Sequence, residues 1–174
     1  RDRMECSRRI VDRVIERGDR VYGLTTGLGA RSGEVLSREQ LTDFSYQTLR
    51  GRAHAVGDPL PVEIVRGAMI ARINTMMTGA SGGSASIADF LVQCLNRNIT
   101  PVVGELGSVG VSDLCLGASM GLALIGEGQM YSQSGQVEAA SSILESESIP
   151  PLVLGPKDGL VIANHACFST SMAA

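Results

Sequence analysis

Aromatic side chains and histidine are scarce in this sequence. Among 174 residues there are no tryptophans, three tyrosines, three phenylalanines and two histidines, so aromatic residues make up 3% of the chain. A hydrophobic content of 44% is nevertheless typical of a globular protein. The core must therefore consist of Leu, Ile, Val, Ala and Met side chains. At this length, one domain with a substantial core is expected.

The sequence also lacks a basic run and a long apolar run. Its net charge is −3, and without a basic patch nucleic acid is not expected as a partner. No apolar stretch approaches the ~20 residues that cross a membrane. Residues 1–20 alternate charged with scattered apolar residues, which does not resemble a signal peptide. We therefore expect a cytoplasmic protein that binds a small molecule.

The four cysteines do not have the spacing of metal ligands. Cys6, Cys94, Cys115 and Cys167 are far apart, and three of them lie within apolar helical patterns. The pattern favours buried, reduced thiols of a cytosolic protein over disulfides. No metal site is predicted.

The apolar periodicity predicts a mainly α protein with long glycine-rich loops. Helices are predicted over 3–17, closed by Gly18; from the capping box Ser37–Gln40 to about Arg52; from Pro61 to the break at Gly79–Gly83; and over 87–95, 114–125, 139–145 and from Lys157 onward. Glycine-rich loops are predicted over 21–33 and 98–112, and a short hairpin over 131–137 around Gly135. Asp113 is predicted to cap the helix that follows it.

Four segments carry residues suited to chemistry. They are Tyr22–Gly29 (YGLTTGLG), Ala53–Gly57 (AHAVG), Gly107–Leu114 (GSVGVSDL) and Lys157–Asn164 (KDGLVIAN). In this order and spacing they resemble the histidine and aromatic amino acid ammonia-lyases, whose matching segments read Tyr-Gly-x-Asn-Thr-Gly-Phe-Gly, Ser-His-Ala-x-Gly, Gly-Ser-Val-Gly-Ala-Ser-Gly-Asp-Leu and Lys-Glu-Gly-Leu-Ala-Leu-Ile-Asn. Any one segment alone is weak, but four together identify a member of this family.

The resemblance implies the helical N-terminal part of an aromatic amino acid lyase-type fold. Members of the family are roughly three times this long and form homotetramers whose sites combine several subunits. The chain starts at Arg1, and residues 169–174 form an apolar end without a helix stop signal. We therefore expect residues 1–174 to be the N-terminal portion of a longer enzyme, or one piece of a split one.

The resemblance also implies a reaction, the elimination of an amine from an α-amino acid to give an unsaturated acid. Tyr22 matches the base that removes the β-proton, although a phenol with a pKa near ~10 needs activation for this role. The alternative for Tyr22 is an aromatic clasp on the loop. His54 matches the position specific for an imidazole substrate, and Asn164 the asparagine that binds substrate or prosthetic group. His165, where the family has Gly, is an acid near the amine or caps a turn.

The third segment departs from the family where its prosthetic group is made. In the family, Ala-Ser-Gly cyclises into an electrophilic methylidene-imidazolone, through attack by the glycine nitrogen on the carbonyl two residues back. Here Val111 and Ser112 precede Asp113, and a β-branched and a charged neighbour both disfavour ring closure. Ser112 remains a catalytic candidate, but no cofactor is expected. Ala80-Ser81-Gly82 matches a different family segment and is interpreted as a loop between helices.

Three functions follow from these motifs. The first is a carbon–nitrogen lyase acting on a histidine-like amino acid. The second is a close variant of the first: a lyase of the ergothionase type, which needs no prosthetic group and expels trimethylamine from a betaine. The third is a non-catalytic paralogue or accessory subunit. Further departures at Thr25, Leu28, Ala53 and His165-Ala166 put the ordinary histidine reaction in question. Arg72 is interpreted as a partly buried ion-pair or helix-packing residue.

Overall fold

Eight α-helices dominate the computed structural model, which describes residues 1–108 and 110–174. The predicted mainly α fold is confirmed. The helices are α1 (Asp2–Arg17), α2 (Arg38–Arg50), α3 (Val62–Met77), α4 (Ala85–Asn96), α5 (Leu114–Leu124), α6 (Ala140–Ser146), α7 (Asp158–Ala163) and α8 (Cys167–Ala173). The glycine-rich segment between α1 and α2 contains one 3₁₀ turn, Gly29–Arg31, within the loop predicted there.

The predicted helix ends are confirmed where a local signal marks them. Gly18 ends α1 in the left-handed conformation (φ 71°), and its N–H donates to the Ile15 carbonyl. Ser37 begins α2 with a capping box, in which its backbone N–H donates to Gln40 Oε1 at 2.9 Å. The loop predicted at Gly79–Gly83 separates α3 from α4.

In the described part of the chain, five short strands form two antiparallel sheets. Strand β1 (Val56–Pro59) pairs with β3 (Gly104–Leu106), and the second sheet has the order β2 (Thr100–Pro101), β4 (Gln129–Tyr131), β5 (Val137–Ala139). The predicted hairpin around Gly135 is β4–β5 and is confirmed. The prediction of a glycine-rich loop over 98–112 is wrong for the residues of β2 and β3, which pair with strands distant in the chain.

Helix α5 is the centre of the apolar core. Leu116, Met120 and Leu124 are fully buried along it. Its glycines let α7 approach closely, since a Cβ on Gly117 would lie 2.7 Å from the Ala163 carbonyl oxygen. The start of α5 is therefore held beside the end of α7.

The cysteines are all free thiols, but their burial differs from the prediction. Cys94 and Cys167 are buried and Cys115 is half-buried, whereas Cys6 is exposed. The buried residues of α1 are Met4 and Val11, and a residue two positions from Met4 points to another face of the helix. The prediction of a buried thiol is therefore wrong for Cys6.

Candidate functional site

Glycine contacts bring the predicted motif segments together. A Cβ on Gly23 would lie 2.7 Å from Leu160 Cδ2, so the Tyr22–Gly29 loop packs directly on α7. A Cβ on Gly107 would lie 3.2 Å from Ala55 Cα, so the third segment packs on the second. Side chains larger than hydrogen at these two positions would push the segments apart.

Asp113 joins the third segment to the fourth. Its backbone N–H donates to the His165 carbonyl at 2.7 Å. Its carboxylate accepts hydrogen bonds from the Ser169 backbone N–H at 2.8 Å and from Ser169 Oγ at 2.5 Å. Asp113 immediately precedes α5 but makes no side-chain cap with it. The prediction that the Asp113 side chain caps α5 is therefore wrong. Its carboxylate instead accepts hydrogen bonds in the first turn of α8.

Tyr22 lies at the surface of its loop. The side chain is 60% exposed, and its Oη accepts a hydrogen bond from the Gly29 N–H at 3.1 Å. Thr25, where the family has Asn, orders the loop by accepting from the Val21 N–H at 2.8 Å and donating to the Asp19 carbonyl at 2.5 Å. The phenol is thus oriented by the loop and open to a ligand.

His54 is exposed, and its Nε2 lies 3.1 Å from the Gly51 carbonyl oxygen. This contact turns the imidazole back onto the end of α2. The neighbouring Ala55 connects it to the third segment through Gly107. The motif histidine is therefore at the edge of the joined segments, with its Nδ1 available.

Asn164 ends α7 and is exposed at the rim of a cleft of about 370 Å³. Its backbone N–H donates to the Leu160 carbonyl at 2.8 Å, which leaves the side-chain amide for other partners. The cleft lies between α3, the loop after it and α7. Its lining residues include Arg72, Thr75, Ser81 and Lys157.

His165 is buried, and its surroundings keep the ring neutral. Nδ1 accepts a hydrogen bond from the Cys167 N–H at 3.1 Å, and the ring stacks on Phe168 with centroids 5.9 Å apart. Burial, assisted by the nearby positive charge of Arg72, lowers the pKa of His165 from 6.5 to about 4. A neutral ring bound to the first turn of α8 favours the turn-capping alternative over the acid.

The residues around Ser112 do not fit the cyclised prosthetic group. Ring closure there requires the Asp113 nitrogen to attack the Val111 carbonyl, but that nitrogen is a donor to the His165 carbonyl. Ser112 is buried, whereas the Val111 side chain is 91% exposed. Val109, in the same motif, lies outside the described residues.

Two cations in the cleft were not predicted as site residues. Arg72 is buried on α3; it donates to Thr75 Oγ1 at 3.2 Å and to the Val161 carbonyl. Of its two predicted roles, the ion pair is not found among the described residues, whereas its burial against α7 agrees with helix packing. Lys157 is the only lysine in the sequence, beside fourteen arginines. The presence of a single lysine could have marked Lys157 as a candidate site residue. Arg72 could not be recognised in this way, because its burial depends on contacts between distant parts of the chain.

Neither a metal cluster nor a membrane span is found in the part of the chain that the structure describes. Across residues 1–108 and 110–174, no group of three His, Cys, Asp or Glu side chains is placed to hold a metal ion. Within the same ranges, no helix has both the length and the apolar character needed to cross a membrane.

Comparison with known proteins gives one family. The model of the aromatic amino acid lyases matches residues 1–174. A histidine ammonia-lyase from Bacillus cytotoxicus is 37% identical over 161 residues, which cover 92% of this chain and 32% of the relative. This chain thus spans about a third of the length of the curated relatives that it matches.

Solved structures agree with the sequence relatives. The ergothioneine-degrading ergothionase from Treponema denticola, in complex with desmethyl-ergothioneine sulfonic acid, superposes with a TM-score of 0.95 at 28% identity, covering 98% of this chain and 34% of that one. Histidine ammonia-lyase from Trypanosoma cruzi gives a TM-score of 0.90 at 26% identity, with 98% and 33% covered. All four motif segments lie within the range matched by the family.

Proposed function

Because the chain belongs to the aromatic amino acid lyase family, we propose that it contributes to a carbon–nitrogen lyase that eliminates an amine from a histidine-like amino acid. The observation that carries this proposal is the continuous series of contacts between motif segments. Gly23 meets Leu160, and Asp113 binds His165. These contacts set the Tyr22 loop against the helix that ends at Asn164. The curated histidine ammonia-lyases support the same reaction class.

In this proposal Tyr22 is the base. The oxygen of its phenolate form takes the β-proton, and the electrons of the broken C–H bond form the Cα=Cβ double bond. The C–N bond breaks with its electron pair going to nitrogen, so a substrate with a cationic amino group releases a neutral amine. The Gly29 N–H, 3.1 Å from the phenolic oxygen, fixes the direction of the base. Asn164 supplies donors and an acceptor to the bound amino acid, and His54 pairs with a ring nitrogen of the substrate.

A second candidate expels trimethylamine from a histidine betaine. It is favoured by the hydrogen bond from the Asp113 N–H to the His165 carbonyl, which opposes formation of the electrophilic group. When present, that group makes a poor leaving amine a better one. A quaternary ammonium already leaves as a neutral amine and does not need this assistance. The ergothionase likeness in fold is compatible with this candidate.

We also propose that the active form is a homotetramer or a complex with further chain. The paired residues Val56 and Leu106, opposite each other on β1 and β3, are exposed to 61% and 60%. Adjacent exposed apolar side chains are typical of a surface that another chain covers. A site completed by another subunit would also account for the openness of Tyr22.

The experiment that tests the proposed function measures both products of elimination. The assembled protein is incubated with histidine and, separately, with its trimethyl betaine. Appearance of the conjugated acid by ultraviolet absorbance, with one equivalent of released amine, supports the lyase. Absence of both products from both substrates, in a preparation shown to be assembled, would leave the accessory subunit as the function.

A further inference from the structure

The cleft beside Asn164 contains two cations that have no carboxylate partner within residues 1–108 and 110–174. It has a volume of about 370 Å³, and its lining includes Arg72 and Lys157 but no aspartate or glutamate. Three hydroxyl groups lie along the same wall, but those of Thr75 and Thr78 already donate to the Arg72 and Thr75 carbonyls at 2.9 and 2.8 Å. The lining is therefore positive, and the Ser81 hydroxyl adds a further donor.

Arg72 has an unused donor inside the fold. Its side chain is only 6% exposed, and its Nη1 and Nη2 bind Thr75 and the Val161 carbonyl. Its buried Nε has no hydrogen-bond partner among the described residues. Burial lowers the pKa of this guanidinium. Buried charges in proteins are normally paired. An anion bound next to the buried Arg72 guanidinium would therefore be stabilising.

Lys157 is held over the same cleft. Its backbone is in the left-handed region (φ 73°), which a non-glycine residue rarely adopts. A Cβ placed on Gly82 would lie 3.1 Å from Lys157 Nζ, so the side chain extends across the loop after α3. Burial, and then the positive charge of Arg8, lower the pKa of Lys157. No ion pair is found for it within the described ranges.

The adjacent acid is already committed elsewhere. Both oxygens of Asp158 are used: Oδ1 accepts from the Ser84 N–H at 2.9 Å and from Arg8 at 3.3 Å, and Oδ2 accepts from Ser84 Oγ at 2.7 Å and from the Gly155 N–H at 2.8 Å. Asp158 therefore does not serve as the counterion of Lys157. Among the described residues, no other carboxylate pairs with Lys157 or Arg72 either.

We propose that this cleft is a carboxylate-binding site, in which Arg72 and Lys157 supply the positive charge and Asn164 an amide donor. One carboxylate has two oxygens with about four acceptor positions, which suits the Arg72 guanidinium, the Lys157 ammonium and the Ser81 hydroxyl together. The carboxylate has two possible sources, a free amino-acid-type ligand or an acidic side chain of the remaining assembly. The site is inferred from charge and burial and stands whether or not elimination occurs.

Lys157 provides a direct readout, because residues 1–174 contain no other lysine. The assembled protein is reductively methylated with ¹³C-formaldehyde, and the dimethyl signal of Lys157 is assigned by its loss in Lys157→Asn. Asparagine removes the charge and tolerates the left-handed backbone. The signal is then followed against pH while imidazole propionate, a saturated carboxylate that cannot eliminate an amine, is added. Imidazole propionamide serves as the uncharged probe.

Two results support the site and distinguish the sources. If a free carboxylate binds, imidazole propionate moves the Lys157 signal and raises its midpoint of titration, whereas the amide does neither. The affinity for imidazole propionate, measured by isothermal titration calorimetry because Lys157→Asn has no Lys157 signal, should then fall about tenfold or more in Lys157→Asn and in Arg72→Gln, as for loss of a charge-assisted hydrogen bond. If a side chain fills the site, the midpoint is already raised on assembly and added ligand changes nothing.

Other results of the same titration would contradict the carboxylate site. A Lys157 midpoint that stays low in the assembled protein and is unmoved by imidazole propionate would overturn the proposal, as would equal binding of the amide. Arg9→Gln is the control for net charge, because Arg9 is an exposed arginine on α1 away from the cleft. It should change the affinity less than about twofold. Lys157→Asn keeps the test valid if Arg72→Gln does not fold.

Discussion

The buried carboxylate of Asp113 receives two hydrogen bonds from Ser169, from the backbone N–H at 2.8 Å and from Oγ at 2.5 Å. This pair fixes the start of α8 to the start of α5 across 56 residues of sequence. Asp113 follows Ser112 in the chain, and its backbone N–H donates to the His165 carbonyl at 2.7 Å. The geometry of the third motif therefore depends on a residue near the end of the chain.

Breaking this pair should destabilise the fold. Ser169→Ala leaves Asp113 with one donor fewer in a buried setting, and we expect a loss of ~1–3 kcal/mol in the free energy of unfolding. Asp113→Asn should cost a similar amount. Urea denaturation provides the measurement. Asp89→Asn is the matched control, since its ion pair with Arg1 is exposed and should contribute less than ~1 kcal/mol. Equal losses in all three variants would contradict a special role for the pair.

The Asp113 pair should also make stability depend on acid. Although burial acts in the opposite direction, the hydrogen bonds from Ser169 hold the pKa of Asp113 below its usual range. A depressed carboxyl pKa stabilises the fold above the unfolded value of ~3.9, and this stability is lost as the pH falls through the folded value. The unfolding free energy should therefore decline below about pH 4. Asp113→Asn should flatten that part of the curve.

His165 should contribute at higher pH, in a separate window. Its pKa is lowered from 6.5 to about 4. Between these two pH values the imidazole is protonated in the unfolded chain and neutral in the folded one. Stability should be full above about pH 6.5 and fall by up to ~3 kcal/mol as the pH approaches 4. His165→Asn keeps an acceptor for the Cys167 N–H and should remove this decline. His54→Asn, at an exposed position, should retain it; a decline that persists in His165→Asn would assign it to another group.

The sequence predicts a structural feature when the contacts that form this feature lie close together in the chain. Gly18, and Ser37 with Gln40, mark helix ends through contacts within one turn, and both predictions are confirmed. Strand pairing between Val56 and Leu106 spans fifty residues, and strands of three or four residues are too short for an alternating pattern. These strands were therefore missed.

For the same reason, only some residues of the candidate site could be predicted from the sequence. Tyr22, His54 and Asn164 were found because each belongs to a motif that is contiguous in the chain. Arg72 was interpreted as an ion-pair or helix-packing residue and not as a site residue, because its place in the cleft arises only when α3 meets α7. Likewise, nothing near Asp113 in the sequence indicates Ser169 as its partner. Residues whose role depends on tertiary contact leave little trace in a local pattern.

Tyr22→Phe should lower turnover by at least ~100-fold if the phenol is the base, the usual minimum for a positioned acid–base group. The fold should survive, since the side chain is exposed and one hydroxyl is lost. Tyr46→Phe is the matched control. Its hydroxyl accepts from the Leu154 N–H at 3.1 Å, so it should lose ~0.5–1.5 kcal/mol of stability without a comparable loss of turnover. Full turnover in Tyr22→Phe would return Tyr22 to the role of a loop clasp.

The peptide at Val111–Asp113 should remain uncyclised. The Asp113 nitrogen is held by the His165 carbonyl, and the glycine that favours ring closure is absent. The intact mass of the purified protein should therefore show no loss of water at this segment. Ser112→Ala should change turnover far less than the orders of magnitude expected for losing a covalent electrophile. Dehydration located at Ser112 by peptide mass would contradict the prediction.

The assembled protein should prefer a histidine betaine to histidine. An ordinary ammonium can lose a proton to a nearby base, and without an electrophile the resulting neutral amino group would have to leave as an amide anion, which is a poor leaving group. A trimethylammonium group has no N–H to lose, so it always leaves as neutral trimethylamine. His54 should recognise the imidazole in either substrate, so we expect the difference mainly in kcat rather than in KM.

Competing the two substrates at equal concentration measures this preference directly, as the ratio of trimethylamine to ammonia released. A ratio well above one is expected in the wild type and in Ser112→Ala alike, since neither contains the electrophile. His54→Asn should raise KM for both substrates and leave the ratio unchanged, because it alters ring recognition and not the leaving group. Rapid ammonia release from histidine, with little from the betaine, would instead assign the ordinary histidine reaction to this protein.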